Sequence, residues 1–135
     1  MNDVQLRNDI QVFASYAAAF EVAFLNDDWK LVRDCFAEDA VYDVEAGPPF
    51  GGTWQGRDAI INHFVDSVNS FDRKYDERIL QPLAGPEMRN GAVYIRWAVT
   101  YKKAGAPDVR VEGEEEAWVK DGKIERLKDR MPGNA

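Results

Sequence analysis

The chain has 135 residues, a formal net charge of −7 and 45% apolar residues. That excludes wholesale disorder and suits one domain able to bury its own core. A single cysteine, Cys35, and a single histidine, His63, exclude an internal disulfide framework, a cysteine-rich zinc site and a His-x-x-x-His metal motif.

The first part reads as helix. Leu6, Ile10, Phe13, Ala17, Phe20 and Phe24 recur at three- and four-residue steps, one face of a helix. Asn26-Asp27-Asp28 ends it, and an Asp caps a short second helix that turns Trp29, Val32 and Phe36 inward. Ala40 to Val44 reads as a strand, and Ala46 to Gly52 as a loop by its Gly and Pro content. Thr53 to Gly56 leads into a third helix with Ile60, Ile61, Phe64, Val65 and Val68 on one side.

Strands follow. Lys74 to Leu83 alternates loosely, with Pro82 suited only to an edge or a bulge. Ala92 to Lys103 puts Val93, Ile95, Trp97, Val99 and Tyr101 on an inner face and Tyr94, Arg96, Ala98, Thr100 and Lys102 on an outer one. Asp108 to Lys120 puts Val109, Val111, Gly113, Glu115, Ala117 and Val119 inside. Asp121-Gly122 is a two-residue hairpin turn, and Ile124 to Met131 is the last strand. Helices first and hairpin-linked strands after predict an α+β fold with a curved antiparallel sheet, not a doubly wound parallel one. Such a sheet wrapped around the helices encloses a cavity.

Register follows by arithmetic. Pairing inner faces across a loop at Ala104–Asp108 sets Trp97 opposite Glu115, Arg96 opposite Glu116 and Tyr94 opposite Trp118. Past the Asp121-Gly122 turn, unbroken pairing would bury Arg126, Lys128 and Arg130. Burial of unpaired cations costs several kcal/mol, so a β-bulge near Glu125 or Arg126 is expected, which turns Leu127, Asp129 and Met131 inward. Asp129 then faces Glu115.

Glu115 is therefore the sharpest candidate. It stands in an otherwise apolar row, where burial should raise its pKa, and Gly113 and Ala117 leave room beside it. With Asp129 alongside, the two titrate as a pair and supply one acid and one base. The alternative is a carboxylate satisfied by a cation or tyrosine. Tyr16 is either an ordinary core tyrosine or a donor to a developing oxyanion. Tyr42 and Trp54 flank the Gly/Pro loop and either wall a ligand site or pin the loop. His63 is expected on the exposed side of its helix, Cys35 as a quiet, partly buried thiol, and Asp43 and Glu45 as solvated edge charges. Gly47, Gly51 and Gly52 lack the Lys-Ser/Thr of a phosphate loop.

No run of four basic residues occurs, which argues against nucleic acid. No apolar run reaches the roughly 18 residues of a membrane span. The start, MNDVQLRND, is unlike a signal peptide, so the expectation is cytoplasmic. Tyr94 and Trp118 beside Arg96 and Glu116 on the outer face predict a homodimer, unless a terminal segment covers them.

Phe36 to Asp43, followed by Gly47-Pro-Pro, Trp54-Gln-Gly-Arg-Asp-Ala-Ile60 and the Val119–Ile124 hairpin, resembles the SnoaL-like group of the nuclear transport factor 2-like superfamily, which includes ketosteroid isomerase. The resemblance runs from about Val12 to Met131. It implies a single domain over residues 1–135: a cone-shaped curved antiparallel sheet, three N-terminal helices and an internal hydrophobic cavity. It also implies a small hydrophobic ligand, frequent dimers, and isomerase, cyclase, dehydratase, hydrolase or non-catalytic roles. Aligned on the Phe36–Val44 segment, the isomerase's base falls on Val44, its oxyanion tyrosine on Phe20 and the supporting tyrosine on Phe64. Only its second oxyanion carboxyl finds a counterpart, Glu115. An epoxide-hydrolase type would need an inward arginine between two acids, and none is evident in the alternation. The reading is a cofactor-free acid–base site of Glu115, Asp129 and Tyr16. Phe20, Tyr42, Val44, Trp54, Phe64, Trp97, Val99, Gly113 and Ala117 would contact the ligand. The alternative is a binding or protein-interaction module of the same fold.

Overall fold

The computed structural model describes residues 3–48 and 50–131. Met1 and Asn2 of the polar start and Pro49 of the Gly/Pro loop lie outside the described residues. The elements are α1 (Asp3–Asn26), α2 (Lys30–Asp34), β1 (Phe36–Glu45), β2 (Gly52–Gln55), α3 (Arg57–Ser70), a 3-10 turn (Asp72–Lys74), β3 (Glu77–Arg89), β4 (Ala92–Lys102), β5 (Val109–Lys120) and β6 (Lys123–Arg130). No described helix is long and apolar enough to cross a membrane.

The buried face of α1 runs through Asp9, Phe13, Tyr16 and Ala23, one position round from the expected stripe. Tyr16 is thus central rather than lateral, and Phe20 is partly buried against the core. Asp27, at positive φ, ends the helix, and its carboxylate accepts the Trp29 indole N–H at 3.0 Å. The Asp28 carboxylate accepts the Lys30 amide at 3.1 Å, satisfying a donor at the start of α2. The second helix is shorter than expected. Phe36 belongs to β1 instead, fully buried there with Val32 and Ile124.

The sheet order is β2-β1-β6-β5-β4-β3. The hairpins are antiparallel as expected, but β1 runs parallel to β6, so the sheet is mixed. β2, expected as a lead-in to the helix, is a short edge strand on β1. β3 forms the other edge, where the ladder slips at Pro82; there a missing N–H costs little. The bulges bend the sheet so that its inner face cups α1 and α3.

The expected register between β4 and β5 is corrected by two residues. Trp97 lies opposite Gly113, Ile95 opposite Glu115, Arg96 opposite Glu114 and Tyr94 opposite Glu116. A slip of two preserves every face, because the side-chain period is two. The large Trp97 ring lies over the residue without a side chain: a Cβ on Gly113 would be 2.6 Å from Trp97 Cζ2. The bulge in β6 is where parity requires it, with Trp118 opposite Arg126 but Val119 opposite Ile124. Glu115 therefore lies opposite Asp129, and Leu127 and Asp129 are buried.

The outer face differs from expectation. Tyr94 is only 8% exposed. The Arg89 guanidinium covers its ring at 3.8 Å and its hydroxyl donates to Glu114. Arg126 lies 5.1 Å from the ring centre of half-buried Trp118, and Arg130 pairs with Glu116 at 2.6 Å. Asp43 and Glu45 are not free edge charges. β1 is an inner strand, and they pair with Arg126 at 3.0 Å and Lys128 at 2.7 Å.

Candidate functional site

Between the helices and the inner sheet face lies a cavity of about 520 Å3. Helix side chains Tyr16, Phe20 and Phe64 line one side, and Tyr42, Val44, Trp97, Val99, Glu115 and Asp129 the other. A third of the wall residues are Phe, Tyr or Trp. Phe64 packs edge-on against Phe20 at 5.4 Å and Tyr42 at 5.2 Å between ring centres, an arrangement that favours the ring quadrupoles.

The structure brings together most of the residues singled out in the sequence. Three stand outside the wall. Trp54 lies behind His63, Gly113 is buried beneath Trp97, and Ala117 is fully buried in the core. Ala117 is opposite Val93 and Leu127, so its small size serves packing there.

Asp129 is a buried polar group of the wall. Its Oδ2 accepts a short hydrogen bond from the Tyr42 hydroxyl. Its Oδ1 is buried with no conventional donor, and the Glu115 carboxyl opposite can fill that vacancy only by carrying a proton. Burial raises the pKa of Glu115 well above the ordinary glutamate range, and the neighbouring Asp129 charge raises it further. Burial also raises Asp129, and the bonds from Glu115 and Tyr42 offset part of that rise. The two carboxyls therefore titrate as a pair, with Glu115 the more strongly raised. Glu115 retains some accessible surface because it faces the cavity. Burial, then the charges of these acids, pushes the hydroxyls of Tyr16 and Tyr42 well above the usual range, so both remain donors.

Among the wall residues that escaped the sequence reading are His63 and Arg78. His63, expected exposed, lines the cavity and stacks on Trp54 with ring centres 3.5 Å apart. The Trp54 edge strand folds over that side of α3, a contact no helical period reveals. Burial lowers the His63 pKa below its usual value, so it is neutral at pH 7. The second is Arg78 on β3, an inward arginine held between Glu21 and Asp72. It corrects the expectation that the inner face carries none. Alternation in β3 is too irregular to show it, but Arg78 lies opposite the inward Tyr101. Cys35 is half-buried, its thiol donating to the Leu31 carbonyl at 3.2 Å.

The model of the SnoaL-like domain matches residues 16–127. The chain belongs to this SnoaL-like family. Solved structures share the SnoaL-like fold at low identity. An NTF2-like protein from Anabaena variabilis superposes with TM-score 0.74 at 15% identity, over 94% of this chain and 91% of its own. TerC, crystallised with polyporic acid, gives 0.69 at 16% identity, over 92% and 91%. An NTF2-like protein of unknown function from Burkholderia pseudomallei gives 0.69 at 19%, over 92% and 90%. No curated protein sequence matches the chain.

Proposed function

We propose that the cavity binds a small, largely apolar organic molecule and that Glu115 and Asp129 carry out metal-free acid–base chemistry on it, of isomerase, cyclase, dehydratase or hydratase type. The observation that carries this reading is that two carboxyls face each other inside a cavity lined in part by aromatic rings, where burial and Asp129 raise the pKa of Glu115. Asp129, ionised and aimed by Tyr42, would take a proton from a carbon next to a carbonyl. Glu115 would return one, and Tyr16 would donate to the oxygen where charge develops. TerC, a relative in fold, was crystallised with polyporic acid; this supports a cavity of this kind as a place for a small organic ligand.

The test is exchange of carbon-bound hydrogen in cyclic ketones dissolved in D2O with the protein. Wild type is expected to exchange the proton next to the carbonyl, and Glu115→Gln to lose exchange while still binding. Equal binding by both with no exchange by either would overturn catalysis and leave a binding module.

We also infer pairing of two copies through the outer sheet face. A shallow outer groove lined by Asp39, Val41, Asp43, Trp118, Glu125 and Arg126 supports it, although Tyr94 is already covered within one copy. Sedimentation of wild type and Trp118→Glu tests it: a wild-type monomer overturns it, and a dimer lost in the variant supports it.

A further inference from the structure

The cavity has a second polar pole, formed around Arg78. The side chain is 11% exposed and lines the cavity. Its Nε donates to Asp72 Oδ2 at 2.9 Å, and its Nη1 pairs with the Glu21 carboxylate. The Tyr101 hydroxyl donates to the same Asp72 oxygen at 2.8 Å, and the guanidinium carbon lies 5.2 Å from the Phe20 ring centre. Two acids from different elements, α1 and the 3-10 turn, thus fix the guanidinium plane. The guanidinium also bonds to the Tyr101 hydroxyl, while no acid among the described residues takes a hydrogen from Nη2. A guanidinium carries five donors, so Nη2 keeps a hydrogen for a ligand.

The charges at this pole select the kind of oxygen. Arg78 is outnumbered by Glu21 and Asp72. Arg110, at the rim, is already paired with Glu112 at 3.0 Å. A ligand carboxylate would meet net repulsion, whereas a neutral oxygen accepts the Nη2 hydrogens without that cost. The apolar rings between the two poles suit a flat hydrocarbon body.

We propose that Arg78 is a specificity-determining residue that receives a neutral carbonyl oxygen of the ligand, so that the cavity selects flat, mostly apolar ketones over hydrocarbons and carboxylates of the same shape. The proposal rests on the reading of the cavity as a ligand site.

The test uses tetralin, α-tetralone and tetralin carboxylate, titrated by calorimetry into wild type, Arg78→Lys and the outer-face variant Glu114→Gln. Lysine keeps a charge for Glu21 and Asp72 but has no second nitrogen for the ligand. Wild type and Glu114→Gln are expected to bind the ketone about tenfold more tightly than tetralin, and Arg78→Lys to lose that preference. The carboxylate should bind most weakly to wild type. Equal binding of ketone and hydrocarbon by wild type, tightest binding of the carboxylate, or a preference kept in Arg78→Lys overturns the role of Arg78 and leaves the cavity reading standing. No binding of any of the three overturns both. The infrared carbonyl band of bound α-tetralone is a readout that does not need Arg78→Lys to fold. It should shift to lower frequency in wild type and Glu114→Gln alike, and keep part of that shift in Tyr16→Phe, where the Arg78 bond remains. An unshifted band in wild type, or a shift wholly lost in Tyr16→Phe, overturns the proposal.

Discussion

Glu114, Glu115 and Glu116 are consecutive residues of one strand with three different partners. Glu114 accepts the Tyr94 hydroxyl and Glu116 pairs with Arg130, both on the outer face. Glu115 points inward and lies opposite another acid, Asp129, among aromatic rings. The strand's alternation alone separates them. On the outer face each carboxylate has a hydroxyl or cation and water nearby. On the inner face desolvation penalises two charges side by side, and the cheaper state holds a proton between them. The chemistry of a carboxyl here is decided by the side of the sheet it occupies.

The comparison breaks most visibly in Glu115→Gln. If the inner pair performs proton transfer, exchange into ketones should fall by about 10²–10⁴-fold, the usual contribution of a positioned acid or base. Glu114→Gln, one residue away on the outer face, should leave the rate within about twofold, because a surface change there alters neither proton nor cavity. Equal losses in both would sink the distinction between faces.

Gly113→Ala tests the packing that sets the register between them. The new Cβ would meet Trp97 Cζ2 at 2.6 Å and the Arg130 carbonyl oxygen at 2.7 Å. The backbone oxygen cannot yield, so urea unfolding should show a loss of about 1–3 kcal/mol. An unchanged midpoint would mean that Trp97 does not lie over this strand. Tyr42→Phe removes the donor to buried Asp129 Oδ2 and should also cost about 1–3 kcal/mol at neutral pH. Part of that loss should return below the raised pKa of Asp129, where the protonated group no longer needs a donor to its charge.

The pH dependence sharpens the same contrast. Glu115 has a higher pKa folded than unfolded, so the native state binds more protons between those values. Its contribution is fully present below the unfolded value of about 4.3 and is lost as pH rises towards the folded pKa, at up to about 1.4 kcal/mol per pH unit. Chemical denaturation from pH 5 to 8 should show Glu115→Gln gaining on wild type as pH rises; parallel curves would exclude a raised Glu115. The smallest effect belongs to the outer face. Glu116→Gln should change stability by less than about 1 kcal/mol, since its pair with Arg130 is partly solvated and Arg130 also reaches Glu45 at 3.3 Å.

Much of this contrast is legible in the residues themselves. Inner and outer faces of β4, β5 and β6 follow from alternation, and the bulge that turns Asp129 towards Glu115 follows from the cost of burying Arg126, Lys128 and Arg130. Even the two-residue error in register left every face intact. The stripe of α1 was less legible: apolar spacing placed Tyr16 at its flank, but the buried face also takes in Asp9 and Tyr16, which an apolar count passes over.

By itself, then, the sequence determined the element order apart from the short strand β2, the sidedness of the late strands and the meeting of two acids, because alternation and hairpin parity act over a few residues. The tertiary structure decided who joins them. Tyr42 reaches Asp129 across 87 residues because β1 lies parallel to β6. Arg78 enters the cavity with Glu21 and Asp72 because β3 closes the far edge against α1. His63 is covered because a short edge strand brings Trp54 onto it. Each depends on which strands lie side by side, and that is settled by the burial of the whole inner face, to which no local period is sensitive.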